Sequence, residues 1–231
     1  MKIQAQLLLL GAASAFVWGG VSVAPSYALN LIGNLPPTDD NSANTFSPTG
    51  GVSINAVSFT LPTGTDYTLD NAVLRLGAYD GTEVFNVQIR NDTGGVNPGS
   101  TVLANFTLPA SQGAGIFDYT FNSPTAFTFT QNTKYWLYVD ISTGSGGSGS
   151  FDWLASSPNV TPTGVASFGA YRFSLNNGTS FVQNNTFNSF QVNATAVPWE
   201  TDALPVIGST VLFGLGLWGK RKLAQKKIDS L

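Results

Sequence analysis

Between Leu29 and Ala196 apolar and polar residues frequently alternate with a period of two, in short runs. In "VFNVQIRND", Phe85, Val87 and Ile89 fall on one face and Asn86, Gln88 and Arg90 on the other. The stretch "TVLANFTLP" places Val102, Ala104, Phe106 and Leu108 together. In "KYWLYVDIS" the set is Tyr135, Leu137, Val139 and Ile141, and in "FQVNATAV" it is Phe190, Val192, Ala194 and Ala196. Such alternation predicts half-buried β-strands. Further strands are expected over Val52 to Thr60, Tyr67 to Tyr79, Gly115 to Phe121, Ala126 to Thr130, Phe151 to Ser156, Ser167 to Leu175 and Thr179 to Val182. Turn chemistry separates these runs: "DG" at Asp80, "NDTGGVNPGS" from Asn91 and "NNG" from Asn176. The fold class expected is all-β, an antiparallel, jelly-roll-like β-sandwich. The Ser142 to Ser150 stretch "STGSGGSGS" reads as a linker or a hairpin loop, and strands on both sides favour the hairpin.

The pattern changes at both ends. Met1-Lys2, the apolar run Leu7 to Trp18 and "VAPSYALN" read as a signal helix with its cleavage site. Ser26 and Ala28 supply the small residues before the cut, so the mature chain would begin at Leu29. Ser22 and Ala24 also fit, but Pro25 would follow that cut. At the other end Ala203 to Gly219 is an uncharged, mostly apolar stretch of about 26 Å as a helix, the low end for a bilayer crossing. Lys220, Arg221, Lys222, Lys226 and Lys227 follow, and basic residues stay on the cytoplasmic side. The expected organisation is a signal peptide over 1–28, an extracellular body over 29–196 and a sorting segment over 197–231.

Val197, Pro198, Trp199 and Glu200, the apolar stretch and the basic tail form a tripartite end that resembles the PEP-CTERM sorting signals read by exosortases in diderm bacteria. The usual motif there is Val-Pro-Glu-Pro. Here Trp199 precedes the Glu and the second proline comes only at Pro205, which is closer to a Val-Pro-Phe-Glu variant. The resemblance implies a transpeptidase-like enzyme that removes the tail and passes the body to the outer surface or extracellular matrix. The body itself resembles the choice-of-anchor R domain over most of residues 31–196, through "NTFSPTGGVSINAVSFTL", "YTLDNAVLRLG", "VNPGSTVLANFTL" and "NTKYWLYVDIS…GSFDWLASS". That likeness implies an extracellular all-β module joined to varied surface-sorting tails, with no activity to carry over.

Composition narrows the chemistry. The 231 residues contain no His and no Cys, which excludes Ser-His-Asp and Cys-His nucleophiles, His-ligated zinc and disulfides. Only 10% of residues are charged, and the body is acidic, a poor partner for nucleic acid. Glu83 and nine Asp are the body's carboxylates, and no spacing singles out a glycosidase pair. Asp118, Asp140 and Asp152 each stand between apolar or aromatic neighbours, as a solvated sheet face or as a shared calcium site. "DDNSAN" and "DGTE" are further calcium-like clusters. Trp136 and Tyr138, with Trp153, form a sugar-stacking platform if their face is open, and core if it is covered.

These residues lead to a surface-sorted, non-enzymatic protein whose partners are signal peptidase, an exosortase-type enzyme and, before processing, the membrane. A module for the cell's own extracellular polysaccharide is the alternative reading, and a glycoside hydrolase is the third.

Overall fold

The computed structural model describes residues 28–48, 52–141 and 149–198, all within one compact unit. Thirteen strands follow in order: β1 (Ala28–Gly33), β2 (Ser42–Phe46), β3 (Ile54–Thr60), β4 (Tyr67–Gly77), β5 (Asn86–Asp92), β6 (Pro98–Asn105), β7 (Ile116–Asn122), β8 (Thr128–Phe129), β9 (Lys134–Asp140), β10 (Phe151–Ala155), β11 (Ser167–Ser174), β12 (Val182–Gln183) and β13 (Phe190–Ala196). The signal segment to Tyr27, the apolar stretch Ala203 to Gly219 and the basic tail lie outside the described residues. Among the described residues no helix is long and apolar enough to cross a membrane.

The strands make two antiparallel sheets in a sandwich-like arrangement. One runs β1-β13-β4-β10-β2, with β7 and β8 also paired to β4. The other runs β12-β11-β3-β9-β5-β6. One apolar cluster draws on both: Leu74, Leu76 and Val192 from the first, Val57, Ile89, Leu137 and Val139 from the second. Aromatic rings fill much of it. Phe151 stacks on Phe46 at 4.8 Å and meets Phe85 at 4.4 Å between centroids. Each such ring, taken fully from water, contributes roughly 1.5–3 kcal/mol.

The alternation expected for Phe85, Val87, Ile89, Leu137 and Val139 holds: all five are buried in this cluster. Phe190, Val192 and Ala194 are buried with them, and Ala196 packs partly against them. Register shifts change the pattern elsewhere, among them one in β4 and one in β6. Along β4 the inward residues are Tyr67 and Leu69, then Ala72, Leu74 and Leu76. The parity changes at Asp70-Asn71, where pairing with β13 skips from Leu69↔Ala194 to Asn71↔Asn193. In β6 the register skips from Ile89↔Ala104 to Arg90↔Val102. The extra residue turns Val102 outward, against expectation, and lets Leu103 pack on the core.

Other expectations need correction. The Ser142 to Ser150 stretch does not close a hairpin, because β9 and β10 belong to different sheets. The strand expected over Ala126 to Thr130 is only Thr128–Phe129, and that over Thr179 to Val182 is displaced to Val182–Gln183. β1 and β2 were not expected: "ALNLIG" adjoins the signal segment, and "SANTF" carries a single large apolar residue.

Candidate functional site

The two boundaries of the body come together on one strand pair. Ala28, exposed at the start of β1, lies opposite Thr195 near the end of β13. β13 ends at Ala196, and the Val197 N–H then donates to the Asp66 carbonyl at 2.9 Å. Asp66 is itself held, its carboxylate accepting the Gln131 N–H at 2.8 Å. Pro198 has no N–H to give a ladder, and Val197 and Pro198 are exposed. Of the expected motif, Val197 and Pro198 are therefore described. Trp199, Glu200, Ser26 and the basic residues Lys220, Arg221, Lys222, Lys226 and Lys227 fall outside the described residues.

The three aromatic residues considered as a sugar platform are all buried. Trp153 is fully enclosed in the core between the sheets, its Nε1–H donating to the Ser189 carbonyl at 2.9 Å. Trp136 and Tyr138 do point to the outer face of the six-stranded sheet, but that face is covered. With Ile54 and Ala56 they form a second apolar cluster, against which Phe181 packs. The turn after β5 closes over it: Lys134 Nζ donates to the Gly95 carbonyl at 3.3 Å, and Arg172 Nε to the Val96 carbonyl at 2.8 Å. The Arg90 guanidinium lies 3.5 Å from the Tyr138 ring centroid, and Lys134 Nζ lies 4.9 Å from that of Trp136. With the face covered, the three rings are core, and stacking on a sugar needs a ring face in water.

This cover shifts two titrations. Burial would raise the Asp92 carboxyl. Hydrogen bonds from Trp136 Nε1–H at 2.9 Å, from Lys134 and from the Gly94 N–H outweigh it, and the group sits below its ordinary value. Tyr138 is pushed up to about 12, first by burial and then by the Asp140 charge, with Arg90 opposing.

The structure does not bring the three aspartates together. Asp140 ends β9, on the same covered face as Trp136 and Tyr138. Asp118 and Asp152 lie in the other sheet, opposite Arg75 and Gly77 on the outward side of β4. There a side-chain cation already fills the acidic cluster. Arg75 is held in a fork by Asp40, at 2.6 and 2.7 Å, and reaches Asp118 at 3.0 Å. The Asp40 hydrogen bonds, foremost, raise the Arg75 pKa. Asp152 accepts from Thr45 Oγ1 at 2.6 Å. In the other calcium-like clusters carboxylates accept backbone N–H groups: Asp39 those of Asn41 and of the distant Ser157, Asp80 that of Thr82, and buried Glu83 those of Asp80 and Gly81. Among the described residues no three acidic side chains converge as metal ligands.

A network of asparagines was not foreseen. Asn55 on β3 donates to Asn44 Oδ1 on β2 at 3.1 Å and to Asn188 Oδ1 at 2.6 Å, tying the two sheets. Asn184 also donates to Asn44, and Asn188 to the Trp153 carbonyl. Asn34 gathers the backbone of Val160, Phe187 and Asn188, and accepts the Phe190 N–H at 2.9 Å. These amides give the ends of β1, β10 and β13 the partners that buried backbone requires. The signal was present only as the abundance of Asn, because the partners stand up to 156 residues apart.

No protein-family model matches the chain, and no curated protein matches it.

Proposed function

We propose that the chain is the precursor of an exported, non-enzymatic β-sandwich of the jelly-roll type, sorted to the bacterial outer surface or the extracellular polysaccharide matrix. In this reading signal peptidase cuts after Ala28. The C-terminal apolar segment then holds the body at the membrane with Lys220 to Lys227 on the cytoplasmic side. An exosortase-type enzyme removes the tail at Val197 to Glu200.

One observation carries the reading. The described strands all lie between Ala28 and Ala196, and β1 and β13 are neighbours. Cleavage at the two proposed points takes only the exposed Ala28 from them. Val197 and Pro198 stand in solvent immediately beyond the last ladder residue, in reach of an enzyme. The ionised side chains support a structural role, because those described above hold loops and strands rather than face a cleft.

The test is replacement of Pro198 and Glu200 by Ala in the native cell, followed by intact mass and amino-terminal sequencing. Wild-type protein is expected to start at Leu29 and to be released in a form shortened near Glu200. The double variant is expected to insert normally and to keep its tail. Wild-type protein that keeps the tail permanently, or a double variant released like wild type, would overturn sorting and leave a single-span anchor.

A further inference from the structure

Charge is divided unequally along the strands. Call the end where Val197 leaves the exit end. The register places Ala28, Tyr67, Thr60, Lys134 and Asp92 at that end, and Gly77, Ile54, Asp140 and Asn86 at the other. The far half carries seven carboxylates: Asp39, Asp40, Asp80, Glu83, Asp118, Asp140 and Asp152. Its one cation is Arg75, which leaves a net charge of −6. The exit half carries Asp66, Asp70 and Asp92 against Arg90, Lys134 and Arg172, a net charge of zero. Arg172 belongs there because its guanidinium reaches over the face to the turn beyond Asp92. Almost the whole negative charge of the body is thus remote from the point where the chain leaves it.

We infer that the exit end is the surface the body presents to an anionic lipid membrane, and that this charge division orients it. The inference rests on the membrane-held precursor proposed above. The eleven residues of β4 span about 36 Å. The screening length at physiological salt is about 8 Å. With the exit end toward the bilayer, the far-half carboxylates lie several screening lengths from the lipid phosphates and meet little repulsion. With the body inverted or lying on its side, several of them fall within one screening length and are repelled. A neutral end facing the lipid also keeps Val197 and Pro198 on the membrane side, where the proposed processing occurs.

The absence of cysteine makes the test direct. Full chain carrying T63C, in the exposed loop between β3 and β4 at the exit end, or V84C, exposed at the far end, is labelled with an environment-sensitive dye. Each is reconstituted into phosphatidylcholine vesicles with and without phosphatidylglycerol, and quenching by lipid-borne and aqueous quenchers is compared. The T63C dye is expected to be quenched from the lipid at least several-fold more than the V84C dye. That ratio should rise with phosphatidylglycerol and fall as salt is added. A ratio that ignores lipid charge and salt would overturn the orientation while leaving the anchored precursor standing. Equal quenching at both positions would do the same. Chain that fails to float with vesicles of either kind would overturn the anchor and, with it, this inference.

Discussion

The outward faces of the two sheets are built from similar alternating strands and meet opposite fates. On the seven-stranded sheet the outward row of Thr68, Asp70, Val73, Arg75, Asn193 and Thr195 stays partly exposed, and Asp118, Thr120 and Asn122 lie in solvent. Its side chains satisfy each other in pairs, as in Asn193 to Asn71 at 2.8 Å and Thr195 to Asp70 at 2.9 Å. On the six-stranded sheet Gln88, Trp136, Tyr138 and Asp140 are buried. The difference lies in what folds over them. The turn joining β5 to β6 and the segment around Phe181 close one face, while among the described residues the other has no such cover over its middle. Alternation tells which residues oppose each other, and the connections decide whether the second face becomes surface or core.

The largest expected break of this contrast is Trp136→Ala. Emptying the covered face should cost about 3–5 kcal/mol in a denaturant titration. Thr120→Ala on the open face should stay within about 0.5 kcal/mol. Comparable costs at the two positions would mean that the cover does not form.

Alkali should attack the covered face next. Tyr138 ionises at about 12 rather than at its ordinary 10.0, so the folded state favours the neutral phenol. That contribution is complete below pH 10 and is lost as pH rises through about 12. Tyr138→Phe should flatten the decline, followed as unfolding midpoint against pH. An unchanged alkaline limb would mean that the phenol is solvated.

On the open face, Arg75→Met leaves Asp40 and Asp118 unpaired. Because all three are partly solvated, the loss should be about 1 kcal/mol near neutral pH. It should shrink as added salt screens the pair, which thermal melts at low and high ionic strength would check.

The smallest effect sharpens the comparison at one proton. Asp92 holds its carboxyl below the ordinary range, so it stabilises above about pH 4 and loses that contribution as pH falls through its own lower value. Trp136→Phe removes the indole N–H from Asp92. The acid limb should become shallower by a few tenths of a kcal/mol, read from urea midpoints between about pH 2 and pH 6. An acid limb identical to wild type would show that the indole N–H does not hold Asp92.

The inner face was legible because its signal is local: Phe85, Val87 and Ile89 are spaced two apart and need no partner to be recognised. The bulges at Asp70-Asn71 and at Leu103 were not, since an extra residue shows only when two strands are set side by side. β1 and β2 escaped notice because their small and polar residues carry little alternation. The fate of Trp136 and Tyr138 depended on cover from Gly95, Val96 and Phe181, none of them a sequence neighbour. The Arg75 fork was hidden for the same reason, since Asp40 is 35 residues away. At the boundary the reading was local again: Pro198 cannot continue a ladder, and β13 stops at Ala196.

β13 is the last strand among the described residues, yet it sits inside its sheet, with β1 on one side and β4 on the other. A polypeptide that emerges from its amino end must therefore hold two separate edges apart until its final strand arrives. Until Phe190 to Ala196 are free, β1 has no main partner and Ala72 and Leu74 remain uncovered on one side. Closure over so long a separation in sequence is slow compared with pairing of neighbouring hairpins. A chain cut short by a dozen residues ahead of Val197 loses the strand that joins its beginning to its middle. Completion of the sheet is therefore open only to chains synthesised through Ala196.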